Sequence, residues 1–272
     1  MDLIDLHAHT TASDGSLTPT ALVDLAKSIG LKALAITDHD TLAGLEPALA
    51  RGREIGLEVV PGVEISAEFK PGAMHILGYD LDFQNIELIS KLQQLQESRR
   101  TRNPKIVAKL NDLGIPITLE EVLAVTGGGQ IGRPHFAKVL AGKGYVTTVQ
   151  EAFDRYLKKG ASAYVDKFRF TPAEAVDLIR SAGGLPVLAH PLSLNLSPEA
   201  LENLLIDLVK AGMVGLETYY SEHSPEVTRD YIALADRIGL AVTGGSDFHG
   251  ANKDGIVLGR GLNNLAIPYK VL

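Results

Sequence analysis

Short apolar runs alternating with helix-patterned segments constrain this 272-residue chain more than any other feature. Ala33-Leu34-Ala35-Ile36-Thr37 and Leu185–Ala189 carry almost no polar side chains, as expected of parallel strands covered on both faces. Glu58–Val63, Met74–Tyr79, Val214–Thr218 and Leu240–Thr243 read as further strands. In a first one, Ile4, Leu6 and Ala8 alternate with Asp5, His7 and His9. Helical periodicities lie between them. Thr18-Pro19, Thr171-Pro172 and Ser197-Pro198 each pair an N-cap with a proline at the first helical position. Gly30 stops the first helix, Gly56 stops a second from about Thr41 to Ile55, and another covers about Pro225–Ile238. About seven strands in β/α alternation are enough to close a barrel with helices outside.

The rhythm breaks from roughly Asn85 to Tyr164. A long polar helix reaches about Gly114, and a Pro/Gly-punctuated part follows with Gly127-Gly128-Gly129 and Ile131-Gly132-Arg133-Pro134-His135. Further helix is expected at His135–Ala141 and Val149–Lys158. Residues 85–164 are thus expected to form a mostly helical insertion, and 1–84 with 165–272 the barrel. The triple glycine has neither the preceding strand nor the spacing of a dinucleotide or phosphate loop.

His7, His9, His39, Glu64, His190, Asp247 and His249 fall at or just beyond the C-terminal ends of expected strands, the face where parallel barrels build their sites. His75 departs from this pattern, because it precedes the apolar part of its strand. His7-x-His9 and Asp247-x-His249 put paired donors on one face of an extended segment. With Asp14 there are nine imidazole and carboxylate donors, too many for one ion and suited to two or three divalent metals. The chain has no cysteine, so any metal must be held by His, Asp and Glu. A net charge of -7 argues against a surface that coats long nucleic acid. No apolar run approaches a membrane span, and Asp2 and Asp5 interrupt what would be a signal peptide, so a cytoplasmic enzyme is the default expectation.

These residues carry a family resemblance. His7-x-His9, Asp14, Thr37-Asp38-His39, Glu64, His75, His190-Pro191 and Ser246-Asp247-x-His249 resemble the signature motifs of the polymerase and histidinol phosphatase (PHP) family of metal-dependent phosphoesterases. The resemblance implies a distorted (β/α)7 barrel with a trinuclear site of Mn, Zn, Fe or Mg type, Mn being the expected activator. It assigns His7, His9, Glu64 and Asp247 to one metal, Glu64, His75 and His190 to a second, and Asp14, His39 and His249 to a third. The insertion with Ile131-Gly132-Arg133-Pro134-His135-Phe136 is similar to that of small bacterial nucleotide phosphoesterases, and implies a lid over the metals.

Such enzymes act on 3′,5′-bisphosphonucleotides, and some relatives trim the 5′ end of short RNA. The implied reaction is hydrolysis of a nucleotide phosphomonoester by a hydroxide bridging two metals. Arg133 and His135 are then candidates to hold a substrate phosphate, and His223 could do likewise. His135 or His223 is the candidate general acid. Arg133 and His135 are equally placed to cap the helix that Pro134 starts. Asp38 and Asp40 read as supporting or loop-capping residues. The run Arg99, Arg100, Arg102, Lys105 and Lys109 is either a solvated face or a path for a polyanion. Alternatives are a 5′→3′ exonuclease on short RNA or DNA, a histidinol-phosphate phosphatase, which the insertion disfavours, and a metal-holding accessory module. The expected partner is a small phosphorylated substrate or a short oligonucleotide, not long duplex nucleic acid or a membrane.

Overall fold

A computed structural model describes residues 2–126, 129–262 and 265–272. The elements are β1 (Leu3–Asp5), α1 (Pro19–Ser28), β2 (Ala33–Ile36), α2 (Leu45–Ile55), β3 (Glu58–Ala67), β4 (Met74–Tyr79), α3 (Ile86–Asp112), α4 (Leu119–Ala124) and α5 (Arg133–Gly142). They continue with α6 (Val149–Ala152), α7 (Pro172–Ser181), β5 (Leu185–Leu188), α8 (Pro198–Ala211), β6 (Gly215–Tyr220), α9 (Pro225–Ile238), β7 (Ala241–Gly245) and β8 (Ile267–Pro268). Thr18, Thr171, Ser197 and Ser224 each accept a hydrogen bond from the first turn of the helix they precede, with proline at its start. Each such cap contributes about 1 kcal/mol. The second helix begins at Leu45 rather than Thr41, because Leu42 and Leu45 close a turn first.

The eight strands form one sheet in the order β7-β6-β5-β4-β3-β2-β1-β8. It curls until its ends meet. Leu6 N donates to Gly244 O, His9 N to Phe248 O and Asp247 N to His7 O, so β1 meets β7 and the barrel is nearly closed. Gly245 permits this approach, since a Cβ there would lie 2.1 Å from that of His7. Strands β1 to β3 and β5 to β7 run parallel to their neighbours. β4 does not: it is antiparallel to both β3 and β5. A purely parallel β/α sheet is therefore corrected here. The reversal also accounts for His75, because the N-terminal end of β4 lies at the barrel mouth with the C-terminal ends of the others. β8, which no periodicity announces, is a two-residue strand antiparallel to β1.

The main core joins the sheet to α1, α2, α7, α8 and α9. The first half of α3 packs into it through Leu88, Leu92 and Leu95. The second half turns Ile106 and Leu110 into a separate apolar cluster with Phe136, Leu140, Leu157 and Ala163. One helix thus belongs to both cores. Gly127 and Gly128 lie outside the described residues, while Gly129 packs on the backbone of Thr11 and Ser13 in the loop after β1. Among the described residues, no helix is long and apolar enough to cross a membrane.

Candidate metal centre and the adjoining cavity

All nine donors converge at one mouth of the barrel. His7, His9, Glu64 and Asp247 bring ligand atoms within 4.8 Å of one another, as do His9, Asp14, His39 and His249, and His39, Glu64 and His75. His190 lies outside those three groups, yet its Nε2 is 2.9 Å from Glu64 Oε1, the oxygen that His75 Nδ1 also reaches at 2.7 Å. Glu64 is the hub: its other oxygen is 2.9 Å from His39 Nδ1 and 3.2 Å from His9 Nε2. β3 runs three residues beyond it, because pairing with β4 extends the strand to Ala67. His190 (φ 25°) and Asp247 (φ 56°) adopt left-handed backbone, which costs non-glycine residues of order 1 kcal/mol each and is a common feature of functional sites.

The donor chemistry fits divalent cations. His7 Nε2, both ring nitrogens of His9, His39 Nδ1 and Glu64 Oε2 are buried without an aligned hydrogen bond. Buried polar atoms left this way are costly unless an ion satisfies them. Burial opposes charge on Asp14, Glu64 and Asp247, but the surrounding imidazoles, with Lys253 beside Asp247, outweigh it and hold all three carboxyls well below the usual range. Burial likewise opposes a proton on His9, yet Asp247 and Glu64 raise its pKa to about 10.

Supporting groups aim the donors. His7 Nδ1 donates to Glu217 Oε1 at 2.9 Å, which leaves Nε2 facing Glu64 and Asp247. The second oxygen of Glu217 accepts from His190 N at 2.7 Å. Asp5 ties β1 across the closing seam to the loop after β7 by accepting from Ser246 N and Ser246 Oγ, and it also accepts from Gly259 N. Asp38 accepts from Thr10 N, Thr10 Oγ1 and Ser13 Oγ, and so holds the loop that carries Asp14. Glu217 and Lys253 escape a reading based on strand ends. A carboxylate inside the apolar run Val214–Thr218 is the signal that could have found the first. Replacing Glu217 with Gln is expected to weaken metal binding by roughly 10–100-fold, the usual effect of losing such a partner, in titrations of the apo-protein. Unchanged affinity would mean that β1 alone orients His7.

A cavity of about 700 Å³ opens beside Asp14, His39 and His75 and runs under the second core. Its wall is cationic, with Arg99, Arg102, Arg133, Lys158, Lys167 and Arg169 among its lining residues. Arg102 is 3% exposed, bonds the side-chain oxygen of Asn103, and is pushed down to about 9 by burial and by Arg99. Arg133 donates to Leu157 O and lies over the rings of Phe153 and Tyr164. Neither guanidinium forms an ion pair with a carboxylate among the described residues. The polar helix is therefore divided: Arg99 and Arg102 face the cavity, Arg100 stays exposed beside Glu97, and Lys109 bonds Tyr164 O.

His135 is buried behind Gly132, and its Nδ1 accepts from Gly132 N at 3.0 Å, so its neutral ring carries the proton on Nε2. His223 donates from Nδ1 to Thr218 O at 2.8 Å and stacks edgewise on Tyr220, whose hydroxyl bonds Asp247. Burial lowers the pKa of both rings.

Converging imidazoles and carboxylates at a barrel mouth, beside a cationic cavity, define a metal-dependent phosphoesterase, a hydrolase of phosphoric ester bonds. A profile of the PHP domain matches residues 5–166, and the chain belongs to that family. It is 37% identical to the 5′-3′ exoribonuclease Rnm of Escherichia coli, over 91% of this chain and 85% of that one. It is 34% identical to the 3′,5′-nucleoside bisphosphate phosphatase of Chromobacterium violaceum, over 93% and 89%. A structure from Bifidobacterium adolescentis, assigned as a metal-dependent phosphoesterase, superposes with a TM-score of 0.87 at 33% identity, covering 99% of this chain and 94% of that one.

Proposed function

We propose that this enzyme removes the 3′-phosphate from 3′,5′-bisphosphonucleotides to give 5′-nucleotides. The observation that supports this reading is the pair of guanidiniums without a carboxylate partner among the described residues, Arg102 buried and Arg133 half-buried, in a cavity continuous with the metal-ligand cluster. Buried cations without a carboxylate are costly, and a second phosphate of the substrate would compensate them. The cavity is also in the size range of small-molecule sites. In this reading residues 85–164 form the lid, since α3, Arg133 and the segment up to Tyr164 wall the cavity against the barrel.

His7, His9, Glu64 and Asp247 would hold one ion, Glu64, His75 and His190 a second, and Asp14, His39 and His249 a third. Bound divalent ions supply an activated water and neutralise charge on the phosphoryl oxygens. The chain's own groups do the rest. Arg102 and Arg133 bind and orient the second phosphate, His135 holds the Gly132 turn that carries Arg133, and His223, once protonated on Nε2, supplies the leaving group's proton. His223→Ala should then slow esters with poor leaving groups far more than p-nitrophenyl phosphate, and equal slowing of both would remove it from that role.

The test is phosphate release and product identity in Mn²⁺ with adenosine 3′,5′-bisphosphate, a 5′-phosphorylated short oligonucleotide and histidinol phosphate. Rapid conversion of the bisphosphate to AMP is expected. Faster stepwise release of mononucleotides from the oligonucleotide would support the second reading, a 5′→3′ exonuclease, which the similarity to the Escherichia coli relative favours. The same cationic cavity would then hold the 5′-phosphate of the strand. Arg102→Met should raise KM for the bisphosphate about tenfold or more while sparing p-nitrophenyl phosphate. It should also leave the unfolding midpoint unchanged or higher, because an uncompensated buried charge is removed.

A further inference from the structure

We infer that Phe168 is the platform on which the nucleobase of the substrate stacks. This rests on the nucleotide reading above and deepens it. Of the seven phenylalanines in the chain, Phe168 alone is exposed, at 50%, and it lines the cationic cavity. It is also held in place. Its carbonyl accepts from Ser98 Oγ of α3, and two residues on Phe170 bridges to Ala67 and accepts from Glu68 N at 2.7 Å.

Phe170 is buried in the main core, and the Phe168 ring rests edge-to-face against it at 5.1 Å and 84°. The two flanking cations are anchored as well, Lys167 on Asp40 and Arg169 on Asp166. An apolar ring kept half in water, on a rigid segment between cations that attract phosphate, has the form of a base-stacking surface. Such a surface accepts every base, because each has a π face. The arrangement therefore selects for a planar base and not for its identity.

The experiment uses the full chain in Mn²⁺ with adenosine 3′,5′-bisphosphate and a base-free analogue, methyl ribofuranoside 3,5-bisphosphate, on wild type, Phe168→Ala and Phe168→Trp. Binding of AMP is measured in parallel by equilibrium dialysis. The preference for nucleotide over base-free analogue in kcat/KM should fall about tenfold or more in Phe168→Ala, with AMP binding weakened alike, and be retained in Phe168→Trp. An unchanged preference in Phe168→Ala, or equal losses on both substrates, would overturn the inference. Should wild type hydrolyse neither substrate, the nucleotide reading fails on its own, and the AMP affinities of the three proteins still decide the role of Phe168.

Discussion

Glu64→Ala is expected to lower kcat/KM by at least about 10³-fold and to reduce the bound metal per chain. Among the described residues, no other side chain meets so many of these imidazoles. One oxygen touches His75 and His190, and the other faces His7, His9 and His39. Losing it removes a ligand from two of the three converging groups, together with the buried negative charge they share. Electrostatic stabilisation by a bound metal amounts to several kcal/mol, and each 1.4 kcal/mol is about tenfold in rate. Glu64→Gln keeps the shape and removes the charge, so it should fail almost as badly. Elemental analysis of the purified variants and turnover in saturating Mn²⁺ check the result. Full metal content with activity within tenfold of wild type would refute the hub role.

Asp40→Ala is expected to destabilise the fold by about 3–5 kcal/mol, the usual result of deleting one partner of a buried ion pair. Asp40 is wholly buried and held in left-handed backbone (φ 53°), where it meets Arg99 of α3 and Lys167 of the returning segment. It also accepts from Ser66 N at 2.9 Å. Its removal strands two cations and unties α3 from the barrel mouth. Burial would raise the pKa of this carboxyl, but Lys167 and Arg99 outweigh it and hold it well below the usual carboxylate range. A depressed folded-state pKa adds stability above the unfolded value near 3.8, which is lost as pH falls towards the folded value. The gap between wild type and variant, read by chemical denaturation, should therefore be full at pH 7 and shrink below about pH 4. A gap below about 1 kcal/mol at pH 7 would show that the ion pairs do not hold the helix.

Much of this was legible in the chain itself. Apolar runs and Ser/Thr-Pro caps mark the strands and helices because burial and capping act within a few residues. The donors at strand ends are visible for the same reason, since the two-residue period of a strand decides which side chains share a face. His75 shows where local reasoning stops. Its position looks wrong until β4 is seen to run backwards, and strand direction depends on which edges pair, not on composition. Glu217 and Asp5 look like breaks in apolar strands, and their partners lie 210 and 241 residues away.

The cationic cavity is a stronger case. Arg99, Arg102, Arg133 and Lys167 are scattered over nearly seventy residues of ordinary-looking polar sequence. Nothing in their spacing separates them from Arg100, which simply faces water. Element types, caps and the candidate metal donors follow from short-range periodicity and residue chemistry, and so are written in the chain. The closure of the barrel, the reversal of β4 and the meeting of two uncompensated arginines with a solvent-facing Phe168 depend on contacts between distant segments, whose energies no local pattern encodes.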